Sequence, residues 1–252
     1  MISPLKISII TVCFNSEATI EETLKSVISQ DYPNIEYIVI DGKSTDATLF
    51  IIEKYRNNIQ KFISEKDEGL YFAINKGIEM ASGEVIGILH SDDFYMNKNV
   101  LTKVMKLFTE TQSDSVYGDL QYIDNVSNKI IRHWKAGHYS ENLFLKGWMP
   151  PHPSFFVLKK IFFQYGFFNT IFQSAADYEL MLRFLHKHKI STHYLPEVLV
   201  KMRVGGKSNA SFINRIKANK EDRFAWKINN LQPNFLTLWL KPFSKIKQFF
   251  GQ

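Results

Sequence analysis

Residues 7–15 read Ile-Ser-Ile-Ile-Thr-Val-Cys-Phe-Asn, and the reading of this run decides the fold. Five of its first six residues are β-branched, with no polar alternation. Such a run suits a strand buried on both faces, as in a parallel sheet. Helical spacing follows, with Ile20, Leu24, Val27 and Ile28 on one face. Pro33 marks a turn, and residues 35–40 form a second strand. Ser44-Thr45-Asp46 predicts a helix start, where a hydroxyl can cap free amides. Residues 59–64 read as a weaker strand. Leu70, Ile74, Ile78 and Ala81 form another helical stripe, Gly83 ends it, and residues 84–89 are a further strand. Strands separated by helices of this length imply a parallel sheet with right-handed crossovers.

The second half is mixed. Residues 98–109 read as a helix, and residues 115–123 and 129–134 as strands joined by a turn at 125–128. Pro150, Pro151 and Pro153 make residues 147–153 a loop. Residues 175–188 are helical, residues 191–195 and 198–203 are short strands, and residues 212–229 form a helix. A final amphipathic segment covers residues 234–250. It carries Trp239, Phe243, Ile246 and Phe250 beside Lys241, Lys245 and Lys247.

A chain of 252 residues suits one large domain with a short appendage, and needs no disulfide. The expected organisation is an α/β domain over residues 1–233 and a basic tail over 234–252. Cys13 is the single cysteine, read as a buried thiol in a reducing compartment. No cysteine cluster is available for a metal. Residues 1–6 lead straight into the first strand, which argues against a signal peptide. No run of about 18 apolar residues occurs. A cytoplasmic location follows as the expectation, with the tail as a peripheral contact to the inner face of the cell membrane. The net charge of +6 is uneven. From residue 201 onward there are eleven Lys and Arg against two Asp and Glu, so the preceding 200 residues are net −3. That distribution, and the lack of any helix-turn-helix, zinc-finger or RNP signature, excludes nucleic acid as the partner. A basic tail rich in aromatics points to an anionic membrane surface instead.

Ligands of an open parallel sheet bind at the carboxyl ends of its strands. Asp41, Asp67 and the pair Asp92-Asp93 fall at successive strand ends, and Asp177 begins a later helix. Carboxylates converging on one site require a cation or a donor-bearing ligand. Mg²⁺ or Mn²⁺ suits an oxygen-only site.

Five segments carry a resemblance: residues 9–15, Asp41-Gly42-Lys43-Ser44-Thr45-Asp46, residues 64–69, Asn75-Lys76-Gly77-Ile78, and His90-Ser91-Asp92-Asp93. In this order and spacing, over residues 5–95, the sequence resembles the family 2 glycosyltransferases, inverting enzymes with the GT-A fold. Ala176-Asp177-Tyr178-Glu179-Leu180 resembles the family's catalytic-base segment. The resemblance implies a mixed, mainly parallel sheet flanked by helices. Residues 5–95 would bind a nucleotide-diphosphate sugar, UDP-linked, with Mn²⁺ or Mg²⁺. Residues 96–210 would bind the acceptor, a saccharide or lipid-linked saccharide of a bacterial surface polysaccharide.

It also implies roles. Asp41 would meet the nucleobase edge, and Asp67 would help hold the nucleoside. Phe14 would pack on the base, while Thr11 to Asn15 lend backbone groups. Asp93 would be the direct metal ligand, with Ser91 and Asp92 at the ribose or a metal-bound water. Asp177 would be the general base, with Glu179 in reserve. His152 would contact diphosphate, metal or acceptor. Arg203 and Lys207 would face the diphosphate. The sequence departs from the family pattern at Ser91, which stands where an Asp-x-Asp motif has its first acid. It departs again at Ala176, where an acid commonly precedes the base, and at Phe72, where close relatives often carry Asp.

Rival classes fit less well. A nucleotidyltransferase needs a Gly-rich phosphate loop after the first strand, where Cys13-Phe14-Asn15 stands. Gly205-Gly206-Lys207-Ser208 lacks the Gly and the strand–loop–helix setting of a phosphate loop, and no G-x-G-x-x-G supports a dehydrogenase. A non-catalytic nucleotide-sugar subunit is opposed only by Asp177.

Overall fold

The computed structural model describes residues 4–125, 127–204, 212–233 and 237. The first half builds β1 (Ile7–Cys13), α1 (Ile20–Ile28), β2 (Ile35–Asp41), α2 (Thr48–Lys54), β3 (Lys61–Ser64), α3 (Leu70–Met80) and β4 (Val85–Ile88). Every residue of β1 is buried, as the unbroken apolar run requires. It lies between β2 and β4, parallel to both, with Ile7 opposite Ile35 and Cys13 opposite Asp41. Helix α1 buries the expected face, Ile20, Leu24 and Val27, and carries Glu21 and Glu22 in its first turn, where the helix dipole favours them. Helix α2 begins at Thr48 rather than at Ser44, because the intervening residues are held otherwise: Asp46 Oδ1 accepts from the Thr48 amide at 3.0 Å, and Ser44 donates to Asp41.

The second half adds β5 (Asp93–Tyr95), α4 (Val100–Thr111), β6 (Ser115–Ile123), β7 (Ile130–Trp134), β8 (Phe155–Leu158), α5 (Lys159–Tyr165), α6 (Ala176–Met181), β9 (Thr192–Arg203) and α7 (Phe212–Ile228). One sheet runs β3-β2-β1-β4-β8-β6-β9-β5, with β7 paired to β6 outside that path. The parallel order ends at β4. Strand β8 runs antiparallel to both β4 and β6 and so joins the two halves, while β6 and β9 are parallel and β5 and β7 antiparallel to their partners.

Three features differ from the sequence reading. Strands β5 and β8 are too short to show a period. Strand β9 is continuous where two strands were expected. Its register against β6 slips after Gly118, so Leu195 and Val198 face successive residues and Pro196 sits in a bulge. After Met181 the helical path loosens into a π-helical stretch, Leu182–Lys187. The amphipathic tail lies outside the described residues. Among the described residues, no helix is long and apolar enough to cross a membrane.

Helix α3 fixes the relation of the two halves. A Cβ at Gly77 would lie 2.5 Å from Ile10 Cγ2, so the helix rests directly on β1. Asn75 exchanges hydrogen bonds with the Phe168 backbone, donating at 2.8 Å and accepting at 3.0 Å. Lys76 reaches back to Asp67 and Glu65. The Asn-Lys-Gly run is thus three successive tethers. Gly77→Ala gains up to about 1 kcal/mol of helix propensity. Overpacking against Ile10 costs about 1–3 kcal/mol and should prevail. Denaturant titration should show Gly77→Ala destabilised, and Gly77→Ala with Ile10→Ala less destabilised than the sum of the singles. Additive effects would contradict the direct seat of α3 on β1.

Candidate active site

The carboxyl ends of β1, β2 and β4 meet the start of α6. The floor of this cleft is organised by Asp41, which is 0 % exposed. Its carboxylate accepts from the Ser44 amide at 3.0 Å, the Ser64 hydroxyl at 2.7 Å and the Ser44 hydroxyl, with the Cys13 thiol at 3.6 Å. Asp41 therefore does not offer an open acceptor to a nucleobase, contrary to expectation. It shapes the loop instead. Burial, then the Asp41 charge, pushes the Cys13 thiol up, which keeps it neutral and inert as expected. Thr11 is buried in β1, paired opposite Val39, and its hydroxyl accepts from Tyr37.

The rim is more open. Asn15 adopts φ 50°, its amide donates to Ser44 Oγ at 2.8 Å, and its Oδ1 accepts from the Thr45 amide at 2.8 Å. This ties the loop after β1 to the loop after β2. Phe14 is 51 % exposed and packs beside Gly42. Asp67 pairs with Lys76 at 2.5 Å through one oxygen, while its other oxygen is buried without a hydrogen-bond partner. An acceptor left in that state costs free energy until a ligand donor reaches it.

The turn after β4 is closed by the Asp93 amide donating to the His90 carbonyl at 3.0 Å. Ser91 Oγ lies 2.9 Å from Ser16 Oγ, which links this turn to the loop after β1. Asp92 is partly exposed. Asp93 is not: it is fully buried at the start of β5, and neither carboxylate oxygen has a partner. Burial, with Asp92 beside it, pushes its carboxyl well up, against the opposing charge of Arg203. The expected order is therefore reversed. Asp92 presents its carboxylate at the surface, and Asp93 stands behind it. This pair fits a divalent cation shared with substrate phosphates, which needs only one or two protein carboxylates. Of the two, only Asp92 is within reach of such a cation, since the Asp93 carboxyl is buried and without a hydrogen-bond partner. No cluster of three or more His, Cys, Asp or Glu able to hold a metal alone occurs among the described residues.

Across the cleft, Asp177 sits in the first turn of α6. His152 Nδ1 is 3.3 Å from Asp177 Oδ2, and the His152 ring meets the His90 ring edge-on at 5.4 Å between centroids. The 90–93 turn and the α6 start are thus bridged by two imidazoles. Burial pushes His152 down to about 4. Burial and then His152 push His90 down to about 4, against Asp92 and Asp177. Both rings are neutral at pH 7. Two other elements place Asp177. The Tyr71 hydroxyl of α3 meets the backbone of Ala176 and Asp177. Glu221 of α7 accepts from the amides of Gln173, Ser174 and Ala175 at 3.1, 2.9 and 2.9 Å.

Glu179 is removed as a reserve base. It is 2 % exposed, pairs with Arg183 through both oxygens at 2.8 and 3.0 Å, and accepts from Asn229 at 2.9 Å. Arg183 also donates to the carbonyls of Tyr165, Gly166 and Phe167, so the pair is a structural knot. Arg203 is likewise committed, to Glu22 and to Asn128, with its guanidinium over the Phe94 ring; it is not presented to a diphosphate. Lys207 lies outside the described residues. Three contributors were missed. His90 stands at a strand end beside two acids, a position that could have marked it. Tyr71 is buried on α3, next to the first residue of the predicted stripe, which did not include it. Arg132, over the rings of Tyr122 and Trp134 at 4.7 and 5.4 Å, belongs to the β6–β7 hairpin; Tyr122 is held up at about 12 by burial and senses both Asp93 and Asp177.

The mixed sheet flanked by helices is that of the GT-A fold, shared with solved glycosyltransferases. The family model described as glycosyl transferase family 2 matches residues 8–178, and the chain belongs to that family. It is similar to a PGL/p-HBAD biosynthesis glycosyltransferase of Mycobacterium bovis, 27 % identical over 207 residues, which cover 80 % of this chain and 78 % of the relative. It is also similar to the poly(ribitol-phosphate) beta-N-acetylglucosaminyltransferase TarS of Staphylococcus aureus, 37 % identical over 115 residues, 44 % of this chain and 20 % of that protein. The crystal structure of S. aureus TarS 1-349 with UDP-GlcNAc superposes with a TM-score of 0.68 at 20 % identity, covering 89 % of this chain and 65 % of that one. The mannosyltransferase PcManGT from Pyrobaculum calidifontis, in complex with GDP-Man and Mn²⁺, gives 0.68 at 16 % identity, covering 96 % and 73 %.

Glu179→Ala should cost about 3–5 kcal/mol by denaturant unfolding, because it leaves a buried Arg183 unpaired. Unchanged stability with lost turnover would return Glu179 to the chemistry.

Proposed function

We propose that this enzyme transfers a sugar from a UDP-linked donor to an acceptor hydroxyl with inversion at the anomeric carbon. The observation that carries the reading is the opposition of Asp177 to the Ser91-Asp92-Asp93 turn, joined through His152 and His90. Phe14 and Asp67 would hold base and ribose at the rim. Asp177 would take the proton of the acceptor hydroxyl as its oxygen attacks from the face opposite the diphosphate. One bond forms at the anomeric carbon as the bond to the diphosphate breaks. Asp92, with Asp93 behind it, would hold Mn²⁺ or Mg²⁺, which when bound neutralises the diphosphate leaving group. Uridine is favoured over guanosine because TarS, crystallised with UDP-GlcNAc, is a relative in sequence as well as in fold. A lipid-linked saccharide as acceptor, at an anionic membrane face, is supported by the basic aromatic tail and by the biosynthetic role in the name of the M. bovis relative.

A thermal-shift panel of UDP-, GDP- and dTDP-sugars with Mn²⁺ tests the donor. A ligand at about 100 times its Kd adds roughly 2.7 kcal/mol of stability. The UDP-sugar should give that shift in wild type and in Asp177→Asn, and a smaller one in Asp92→Ala. Asp177→Asn should lower kcat by about 10²–10⁴-fold. Full turnover in Asp177→Asn would remove the base, and donor shifts without any turnover in wild type would mark a binding subunit. For the acceptor side, the protein should sediment with anionic liposomes, and deletion of residues 234–252 should abolish this. Equal sedimentation of both forms would remove the membrane contact.

A further inference from the structure

We propose that His152 is a positioning residue for Asp177, donating a hydrogen bond from Nδ1 to Oδ2 and thereby setting the direction in which the carboxylate meets the acceptor hydroxyl. The inference rests on Asp177 being the base. Its support is geometric. His152 stands between Pro151 and Pro153, with Pro150 before them, so the backbone of its loop has few alternatives. Ser154 anchors the loop's end, its hydroxyl lying 2.7 Å from the Gly118 carbonyl and 3.1 Å from the Pro151 carbonyl. Strand β8 follows at once and is clamped between β4 and β6. The imidazole is therefore mounted on the sheet rather than on a free loop. The His90 ring, edge-on at 5.4 Å, packs on its other side.

At 3.3 Å from a carboxylate oxygen, Nδ1 is the nitrogen on which a proton of the neutral ring is favoured. Contacts of this kind commonly shorten when substrate closes the site. Among the described residues, Tyr71 of α3, Tyr122 of β6 and His90 after β4 are titratable groups that sense Asp177, and the Tyr71 hydroxyl is taken up by the α6 backbone. The step itself is unchanged. The acceptor O–H bond breaks toward Asp177, the new C–O bond forms, and the bond to the diphosphate breaks. His152 keeps its proton throughout. A donor on the charged carboxylate also lowers its proton affinity, so the base stays ionised further into acid.

Three variants separate this role from mere packing. His152→Asn places an amide N–H near the position of Nδ1, His152→Gln places one near Nε2, and His152→Ala supplies none. The measurement is kcat against pH, with UDP binding by calorimetry and a melting midpoint for each protein. Ala and Gln should lose at least tenfold in kcat with UDP affinity within twofold, and their acid limb should move to higher pH. Asn should recover most of the rate and the wild-type limb. If Asn is as slow as Ala and Gln, or if no variant moves the limb, His152 does not position the base. Wild type inactive with every donor, or Asp177→Asn fully active, overturns the functional reading and this inference with it. Those outcomes are distinct from a defect confined to residue 152.

Discussion

Helix α3 can lie on β1 as closely as it does only because residue 77 has no side chain. The cleft depends on that contact. With Gly77 against Ile10, Lys76 is placed to hold Asp67 at the cleft rim, Asn75 to hold the 168 backbone, and Tyr71 to meet the amides that begin α6. One helix therefore sets the distance between this edge of the sheet and Asp177 opposite. A helix displaced outward by one methyl group would shift all three tethers together. Packed interiors transmit such displacements rather than absorb them.

The acids that gather here are sorted by environment. Asp41 is buried but fully supplied with donors, so it is a structural charge. Asp93 is buried without donors, so its charge is expensive unless a proton or a cation offsets it. Asp92 and Asp177 keep access to the cleft. Between these two stand His90 and His152, both neutral because burial outweighs the neighbouring carboxylates. Neutral rings contribute directed donors and acceptors without cancelling the negative charge of the carboxylates around them.

Much of this was legible in the sequence. The β-branched run at 7–12, the helical stripes and the acidic strand ends gave the parallel half, because each is a local pattern of adequate length. The strand-end position of Asp92 and the helix-start position of Asp177 were equally local. What escaped was non-local or too short. Strand β8 has four residues, and its place between β4 and β6 depends on partners about 40 to 70 residues away in sequence. Asp41 was misjudged because its donors include Ser64, brought in by β3. Glu179 was overvalued because Arg183 and Asn229 complete it only in the folded state. The depth order of Asp92 and Asp93 turns on β5, whose three residues carry no readable period. His152 was marked by its prolines, but its partner across the cleft could come only from the fold.

The central claim is that Asp177 serves a single displacement on the far side of the donor sugar from its diphosphate. The most direct test is stereochemical and needs no knowledge of the acceptor. Slow donor hydrolysis, with water standing in for the acceptor hydroxyl, can be followed by proton NMR before the released sugar equilibrates. An α-linked UDP-sugar should release the β anomer first. Initial release of the α anomer would contradict the account, because retention requires either a second displacement or attack from the face the diphosphate leaves.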